Sequence, residues 1–367
     1  MKVPLVDLVK QYKNIQSEMD AAIHGVLDSG AFILGPAVKD FEKHMAEYTG
    51  VKHAVGVASG TDAIQLALMA YNIGQGDEVI TTPMTFVATV EVMVLLGIKP
   101  VFVDIDPKTY IIDPNQIEEK ITPKTKAIVP VHLYGQCADM DAINAIAKKH
   151  NLVVIEDSAQ AVGALYKGKK ATSLGNAGCL SFFPSKNLGA YGDGGMVLTD
   201  DEEIADRVRK LRVHGSATKY QHVYLGVNSR LDSIQAAVLD VKLNYIDKWN
   251  EMRRQNAAKY NERLQGTSAV TPFVAEYNTH TYHQYTLQVA DRDGLQAYLK
   301  ENGIATGIHY PIPLHLQPAY ANLGYKKGDF PVAEEVSSHV VSLPMYPELP
   351  EEHIDYTTEH IRKFLAN

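Results

Sequence analysis

Residues 181–195 read SFFPSKNLGAYGDGG. The stretch opens as an apolar run, carries one lysine, Lys186, and closes in glycines. A lysine among apolar neighbours loses water from its ammonium, which favours the neutral amine. A neutral amine attacks a carbonyl carbon and forms a Schiff base. The glycines let the backbone turn tightly and approach a flat ligand closely. The competing reading is a solvated loop lysine, which is what most lysines are. The flanking chain has to decide between them.

On either side, short apolar runs alternate with helical periodicity. Strands are expected at 53–58, 77–81, 100–103, 125–131, 152–155, 178–183 and 195–198. Helices are expected at 15–27, 37–48, 61–71, 86–96, 140–149 and 201–211. Several of these strands are apolar on both faces, as a parallel sheet covered by helices requires. One long helical stretch is expected over 232–264, with Asp247, Lys248, Asn250, Glu251, Arg253 and Arg254 as its solvated face. Beyond Gly266 the pattern changes to a strand at 282–289, a helix at 294–302, a short strand at 305–309 and a helix at 332–341. The reading is an α/β protein with a large domain over 1–250, including an N-terminal helical arm, and a small α+β domain over 251–367.

Composition narrows the function. The 367 residues carry a net charge of −8, with 46% hydrophobic and 21% charged residues. This is an ordinary globular balance. No run of lysine and arginine forms a nucleic-acid patch. No apolar stretch approaches the roughly 20 residues of a membrane span. The N-terminal MKVPLVDLVKQYKN turns polar too soon for a secretory signal. Cys137 and Cys179 form no CxxC pair and read as reduced thiols of a cytoplasmic protein. No metal motif is present, and neither GxxxxGK[ST] nor GxGxxG occurs.

Two further stretches join Lys186. Ala58-Ser59-Gly60-Thr61 follows a strand and opens a helix. Amides at a helix start, with two hydroxyls, make an anion site, and the same residues also serve as an ordinary N-cap. Glu156-Asp157 ends the apolar strand LVVI. Ligands of open α/β sheets bind outside the carboxyl ends of strands. A carboxylate there can hold a ring nitrogen protonated, cap a helix, or bind Mg²⁺. Anion cradle, carboxylate and Schiff-base lysine, in that order, are the parts that pyridoxal 5'-phosphate needs.

The segments SGTDAIQLAL, TTPMTFVATV, EDSAQAVGA, SFFPSKNLGAYGDGG, GVNSRLDSIQAA and HYPIPLHLQ together resemble the nucleotide-sugar aminotransferases of the DegT/StrS type. The resemblance runs from PLVDL near the start to SLPMYP near the end. It implies a fold type I pyridoxal-phosphate transferase. Such an enzyme has a large domain with a mostly parallel, seven-stranded mixed sheet between helices, a small C-terminal domain, and a homodimer with shared active sites.

Carried over by position, Lys186 matches the Schiff-base lysine and proton shuttle, and Asp157 the partner of the pyridine nitrogen. Gln160 matches the residue near the ring's phenolic oxygen, and Phe86 the aromatic stacked on the ring. Gly60, Thr61 and Ser181 match phosphate contacts, and Asn228 an asparagine reaching the phosphate from the neighbouring subunit. His309, Tyr310 and His315 match the segment lining the sugar site, and Arg230 stands beside Asn228 as a candidate for an anionic part of the substrate. Each has a structural alternative: core aromatics for Phe86 and Tyr310, structural histidines for His309 and His315, a helix cap for Asn228, a strand hydroxyl for Ser181.

The implied reaction moves an amino group from L-glutamate to a keto-sugar linked to a nucleotide diphosphate. HYPIPLHLQ resembles the corresponding segment of enzymes that aminate C-3 of a 3-keto-sugar. GYKKGDFPVAEE resembles the branch acting on a dTDP-3-keto-6-deoxyhexose, and SGTDAI and HLYGQCADMDAINAIA the branch acting on a UDP-linked 3-keto-hexuluronate. The first is ranked ahead, with a 4-keto-sugar as a further alternative. From another class, the chain reads as a non-catalytic pyridoxal-phosphate-binding regulator.

Overall fold

The computed structural model describes residues 1–366. Three helices lead in: α1 (Leu8–Asn14), α2 (Gln16–Ser29) and α3 (Pro36–Thr49). The alternation follows as β1 (His53–Val57), α4 (Gly60–Ala70), β2 (Glu78–Thr81), α5 (Ala88–Leu95) and β3 (Lys99–Phe102), then β4 (Thr125–Ile128), α6 (Met140–His150), β5 (Val153–Asp157), β6 (Ala177–Ser181), β7 (Gly195–Thr199) and α7 (Glu202–Leu211).

The seven strands form one sheet in the order β1-β7-β6-β5-β4-β2-β3. β7 runs antiparallel to both of its neighbours. Every other adjacent pair is parallel. Two reversals cancel, so β1 points the same way as β6, β5, β4 and β2. Their carboxyl ends, with the amino end of β7, therefore meet along one edge. That edge is where an open α/β sheet binds ligands. The sheet is anchored by helices whose apolar positions recur on the covering face. In α4 these include Ala63, Leu66, Ala67 and Ala70, all fully buried.

The rest of the chain supplies α8 (Ser233–Leu243), α9 (Ile246–Leu264), β8 (Tyr285–Gln288), α10 (Arg292–Glu301), α11 (Pro331–His339), β9 (Val340–Leu343) and α12 (Glu351–Leu365). β8 and β9 pair antiparallel. Around them Tyr260, Tyr285, Leu295, Val341 and Ile361 form a second core, which also takes in Val3 from the N-terminus.

Several expectations need correction. The stretch 232–264 is two helices, because the Asn244 side-chain amide donates to the carbonyls of Asp240 and Val241 and the helix stops there. Asn250 and Arg253 are not solvated: they are 1% and 3% exposed. Arg253 Nη1 donates to the carbonyls of Tyr282, His283 and Met345, so loop carbonyls on other segments hold one end of its buried guanidinium, while its Nε has no partner among the described residues. No strand forms over 305–309, where Gly307 makes one isolated bridge to Ser342. Helix α12 was not anticipated, because its buried face mixes Thr357, Thr358 and His360 with Ile354 and Ile361 and dilutes the apolar period. Helix α9 runs through residues 250 and 251, where the two domains are expected to meet.

Strand β5 ends in two carboxylates on opposite faces, as its period of two demands. Glu156 is fully buried. It accepts from the amides of Thr172, Leu174 and Gly175 and from His132 Nε2, at 2.7–2.8 Å. His132 Nδ1 accepts from the Ala138 amide, so the ring proton sits on Nε2. This knot ties the end of β5 to two loops. Glu156→Gln keeps the shape but turns an amide donor toward protein donors. It is expected to cost about 2 kcal/mol or more, read from urea denaturation. An unchanged midpoint contradicts this role.

Candidate active site

At the shared edge lies a cavity of about 410 Å³, in the size range of small-molecule sites. Gly60, Thr61, Phe86, Asp157, Gln160, Ser181, Lys186, His309 and Tyr310 all line it. They come from the ends of β1, β2, β5 and β6 and from the loop after α10.

Asp157 is 5% exposed. Its Oδ2 accepts from the Thr89 hydroxyl at 2.7 Å and its Oδ1 from the Ala159 amide at 3.2 Å. A carboxylate only accepts, so the Thr89 proton is committed to Asp157. The Thr85–Thr89 contact at 2.9 Å is then donated by Thr85. Two hydroxyls, Thr85 in the loop before α5 and Thr89 in its first turn, thus aim the carboxylate.

Lys186 opens onto the cavity, yet the surrounding protein desolvates its ammonium. Burial pushes it down to about 8, and the Asp157 charge opposes that shift. A second lysine, Lys242, is also pushed by burial to about 8. Lys242 donates to the Gly189 carbonyl at 2.6 Å and does not line the cavity. Position, then, and not basicity alone, singles out Lys186.

The anion end is built by close approach. A Cβ on Gly60 would stand 2.5 Å from the Ser181 Cβ, and one on Gly195 would stand 2.1 Å from the Ser59 carbonyl oxygen. Both positions therefore need glycine. The Ser59 side chain caps α4 by accepting from the Asp62 amide at 3.1 Å. Its hydroxyl proton stays available. Capping and anion binding are thus compatible here. The Gly60 and Thr61 amides begin α4, where a helix leaves its N–H groups unpaired.

On the opposite wall, Phe86 and Tyr310 have ring centroids 5.9 Å apart. Phe86 is 53% exposed, so it is not a core aromatic. It stands in the loop before α5 rather than in the helix expected from 86. Gln160 Oε1 accepts from the Tyr134 amide at 2.7 Å, which leaves its Nε2 to donate to the Tyr310 hydroxyl at 3.0 Å. Burial holds the Tyr310 phenol well above its ordinary pKa, and the Asp157 charge adds to this. Tyr134, unread in the sequence, joins the wall together. Besides bonding Gln160, its hydroxyl donates to the His309 carbonyl and its own carbonyl accepts from the His283 amide. It does so in the left-handed region, at φ 60.

Three expected residues lie elsewhere. Asn228 is exposed and Arg230 half-buried, neither lines this cavity, and among the described residues their side chains make no hydrogen bond or ion pair. His315 is 2% exposed, packs edge-on against Phe330 and bonds Glu334 at 2.9 Å, away from the cavity wall. Its placement is the structural histidine weighed above. Conversely, Thr85, Ser185, Asp193, His283 and Gln284 line the cavity unforeseen. Of these, only Ser185 and Asp193 fall in the stretch quoted at the outset.

The donor set fits pyridoxal 5'-phosphate: unpaired helix-start amides with serine hydroxyls for a phosphate, a braced carboxylate for a ring nitrogen, an aromatic wall, and a desolvated lysine for a carbonyl. Comparison with known proteins agrees. The profile of the DegT/DnrJ/EryC1/StrS aminotransferase family matches residues 13–362. A pleiotropic regulatory protein of Geobacillus stearothermophilus is 54% identical, over 99% of each chain. The UDP-2-acetamido-2-deoxy-3-oxo-D-glucuronate aminotransferase of Pseudomonas aeruginosa is 48% identical, over 95% of this chain and 96% of that protein. The dTDP-3-amino-3,6-dideoxy-alpha-D-galactopyranose transaminase of Aneurinibacillus thermoaerophilus is 47% identical, over 99% of each. The crystal structure of DesV from S. venezuelae superposes with a TM-score of 0.98 at 43% identity, covering 100% of this chain and 99% of that one. The chain belongs to the DegT/DnrJ/EryC1/StrS aminotransferase family: it is a fold type I transaminase, and its cofactor is pyridoxal 5'-phosphate.

Proposed function

We propose that the chain transfers an amino group from L-glutamate to C-3 of a nucleotide-diphosphate-linked 3-keto-sugar, a dTDP-3-keto-6-deoxyhexose. The observation that carries the transfer chemistry is Asp157 at the end of β5 and Lys186 in the loop after the adjoining β6, both lining one cavity. The two sugar-acting relatives reported above are both named for position 3 of their sugar, which supports C-3 over C-4. A UDP-linked 3-keto-hexuluronate is the second reading, favoured by the Pseudomonas relative.

The bound cofactor supplies an electron sink. The chain's own residues do the rest. Lys186 Nζ would hold the cofactor's carbonyl carbon and, once released, would take up and give back the proton of the donor's α-carbon as general base and acid. Asp157, braced by Thr89, keeps a proton on the ring nitrogen. The Gly60 and Thr61 amides with Ser181 hold the phosphate. Phe86 and Gln160 fix the ring, and His309 and Tyr310 meet the sugar.

Asn228 and Arg230 belong to a segment that exposes Tyr220, Val223 and Leu225, at 85%, 47% and 94%. Apolar exposure on this scale supports a second copy of the chain covering the segment. Asn228 would then reach the neighbour's phosphate, and Arg230 an anionic part of the neighbour's substrate.

Two tests follow from this reading. L-Glutamate is expected to convert the visible band of the cofactor-loaded protein to the amine form, and the true keto-sugar to restore it. A band unmoved by glutamate supports the regulator instead, and restoration by a UDP-hexuluronate alone moves the substrate to the second reading. Separately, Lys186→Ala and Asn228→Ala chains are each expected to be nearly inactive. Mixed together they are expected to regain activity, because one site per hybrid dimer is intact. No recovery in verified hybrids contradicts a shared site.

A further inference from the structure

His283 lies just before β8, on the cavity wall, and no step above uses it. It also lines a chamber of about 80 Å³ that adjoins the cavity, with Ser185, Gln284 and His309. Its tautomer is set by a chain of side-chain amides. The Val162 carbonyl accepts from Asn250 at 3.0 Å, so Asn250 presents its Nδ2 there and its Oδ1 the other way. That Oδ1 accepts from Asn187 Nδ2 at 2.8 Å, and the same Nδ2 also donates to the Thr281 carbonyl at 3.1 Å. Asn187 is thereby oriented with its Oδ1 toward His283 Nδ1, at 3.1 Å. An amide oxygen only accepts, so Nδ1 carries the proton and neutral Nε2 is a bare lone pair. Nε2 has no partner among the described residues and is not sealed by protein. His309, by contrast, bonds the Ser342 hydroxyl at 2.8 Å, and that hydroxyl bonds Thr286. Hydroxyls both donate and accept, so nothing fixes the His309 tautomer.

We propose that His283 is a positioning residue for Lys186: the Asn250–Asn187 amide chain locks its imidazole as the Nδ1–H tautomer, and Nε2 accepts a hydrogen bond from the Lys186 ammonium whenever that lysine is released. Asn187 follows Lys186 in the chain, so one loop carries both the lysine and the group that sets its acceptor. The acceptor is neutral. It steadies the ammonium without the strong charge that a carboxylate would add, so the lysine still gives up its proton readily. Burial keeps His283 uncharged well below its ordinary pKa, helped by the charges that face it, Lys186, Arg253 and His309. Lys186 is in turn faced by Asp157. The inference rests on Lys186 being the lysine that binds the cofactor.

The test uses the full chain without cofactor, labelled with ring ¹⁵N-histidine and assigned with His283→Gln. His283 is expected to show a protonated Nδ1 and a bare Nε2 throughout pH 6–9. A protonated Nε2, or an imidazolium in that range, overturns the proposal, and it is read on the wild-type chain, the variant serving only to assign the signal. The second readout is the pH midpoint of reductive methylation at Lys186, followed by mass spectrometry. An acceptor stabilises the ammonium, so its removal favours the neutral amine and moves the midpoint down. His283→Leu is expected to raise the Lys186 methylation rate at pH 7 about threefold or more, a midpoint shift of about half a unit. His283→Gln, which restores an acceptor, is expected to return it to the wild-type value. Equal rates in wild type and His283→Leu, or no rescue by glutamine, overturn the proposal. If instead Lys186→Ala keeps the visible band of the loaded protein, the reading of Lys186 fails, whatever the tautomer of His283.

Discussion

Strand β5 ends by placing two carboxylates back to back, and the active site depends on how differently they are treated. Glu156 faces the protein and is saturated by three amides and an imidazole. Asp157 faces the cavity and keeps only a hydroxyl and one amide. A buried carboxylate without donors would be costly, so Glu156 persists only with its loops folded around it. Those loops in turn hold the strand end that presents Asp157. The structural carboxylate thus sets the place of the chemical one, one residue away.

Sheet topology does the wider positioning. Because one reversed strand separates β1 from β6, the helix-start amides, the carboxylate and the lysine arrive at the same edge from well-separated parts of the sequence. None of them needs a long loop to get there. The remaining wall comes from outside the sheet. Tyr134, His283, His309 and Tyr310 are joined by backbone and side-chain hydrogen bonds across three segments. Movement of the second core relative to the sheet would therefore open or distort the cavity at this wall first.

Much of this was legible in the sequence, for definable reasons. Strands β1 to β7 and helices α3, α4 and α6 announce themselves by period and by flanking turns, with ends within a few residues of those observed. Lys186, Asp157 and Gly60 stand at strand ends, where chemistry is expected in this class of fold. The losses are tertiary. Asn250 and Arg253 read as surface, because nothing local shows that carbonyls from residues 162, 282, 283 and 345 converge on them. Thr85 and Thr89 carry no signal of their own in the sequence, because only the folded chain places the carboxylate they brace beside them. His315 sits in a motif that does reach the cavity, yet its own side chain turns to Glu334. Periodicity cannot distinguish which way one loop residue faces.

The central claim is that one desolvated lysine, placed by topology opposite Asp157, binds the cofactor. Borohydride reduction of the loaded protein, followed by peptide mass spectrometry, tests it most directly. The cofactor's mass is expected on the peptide containing Lys186 and on no other. Because Lys242 is a buried lysine of similar basicity, label on Lys242 would show that desolvation alone selects the residue, and would contradict the account.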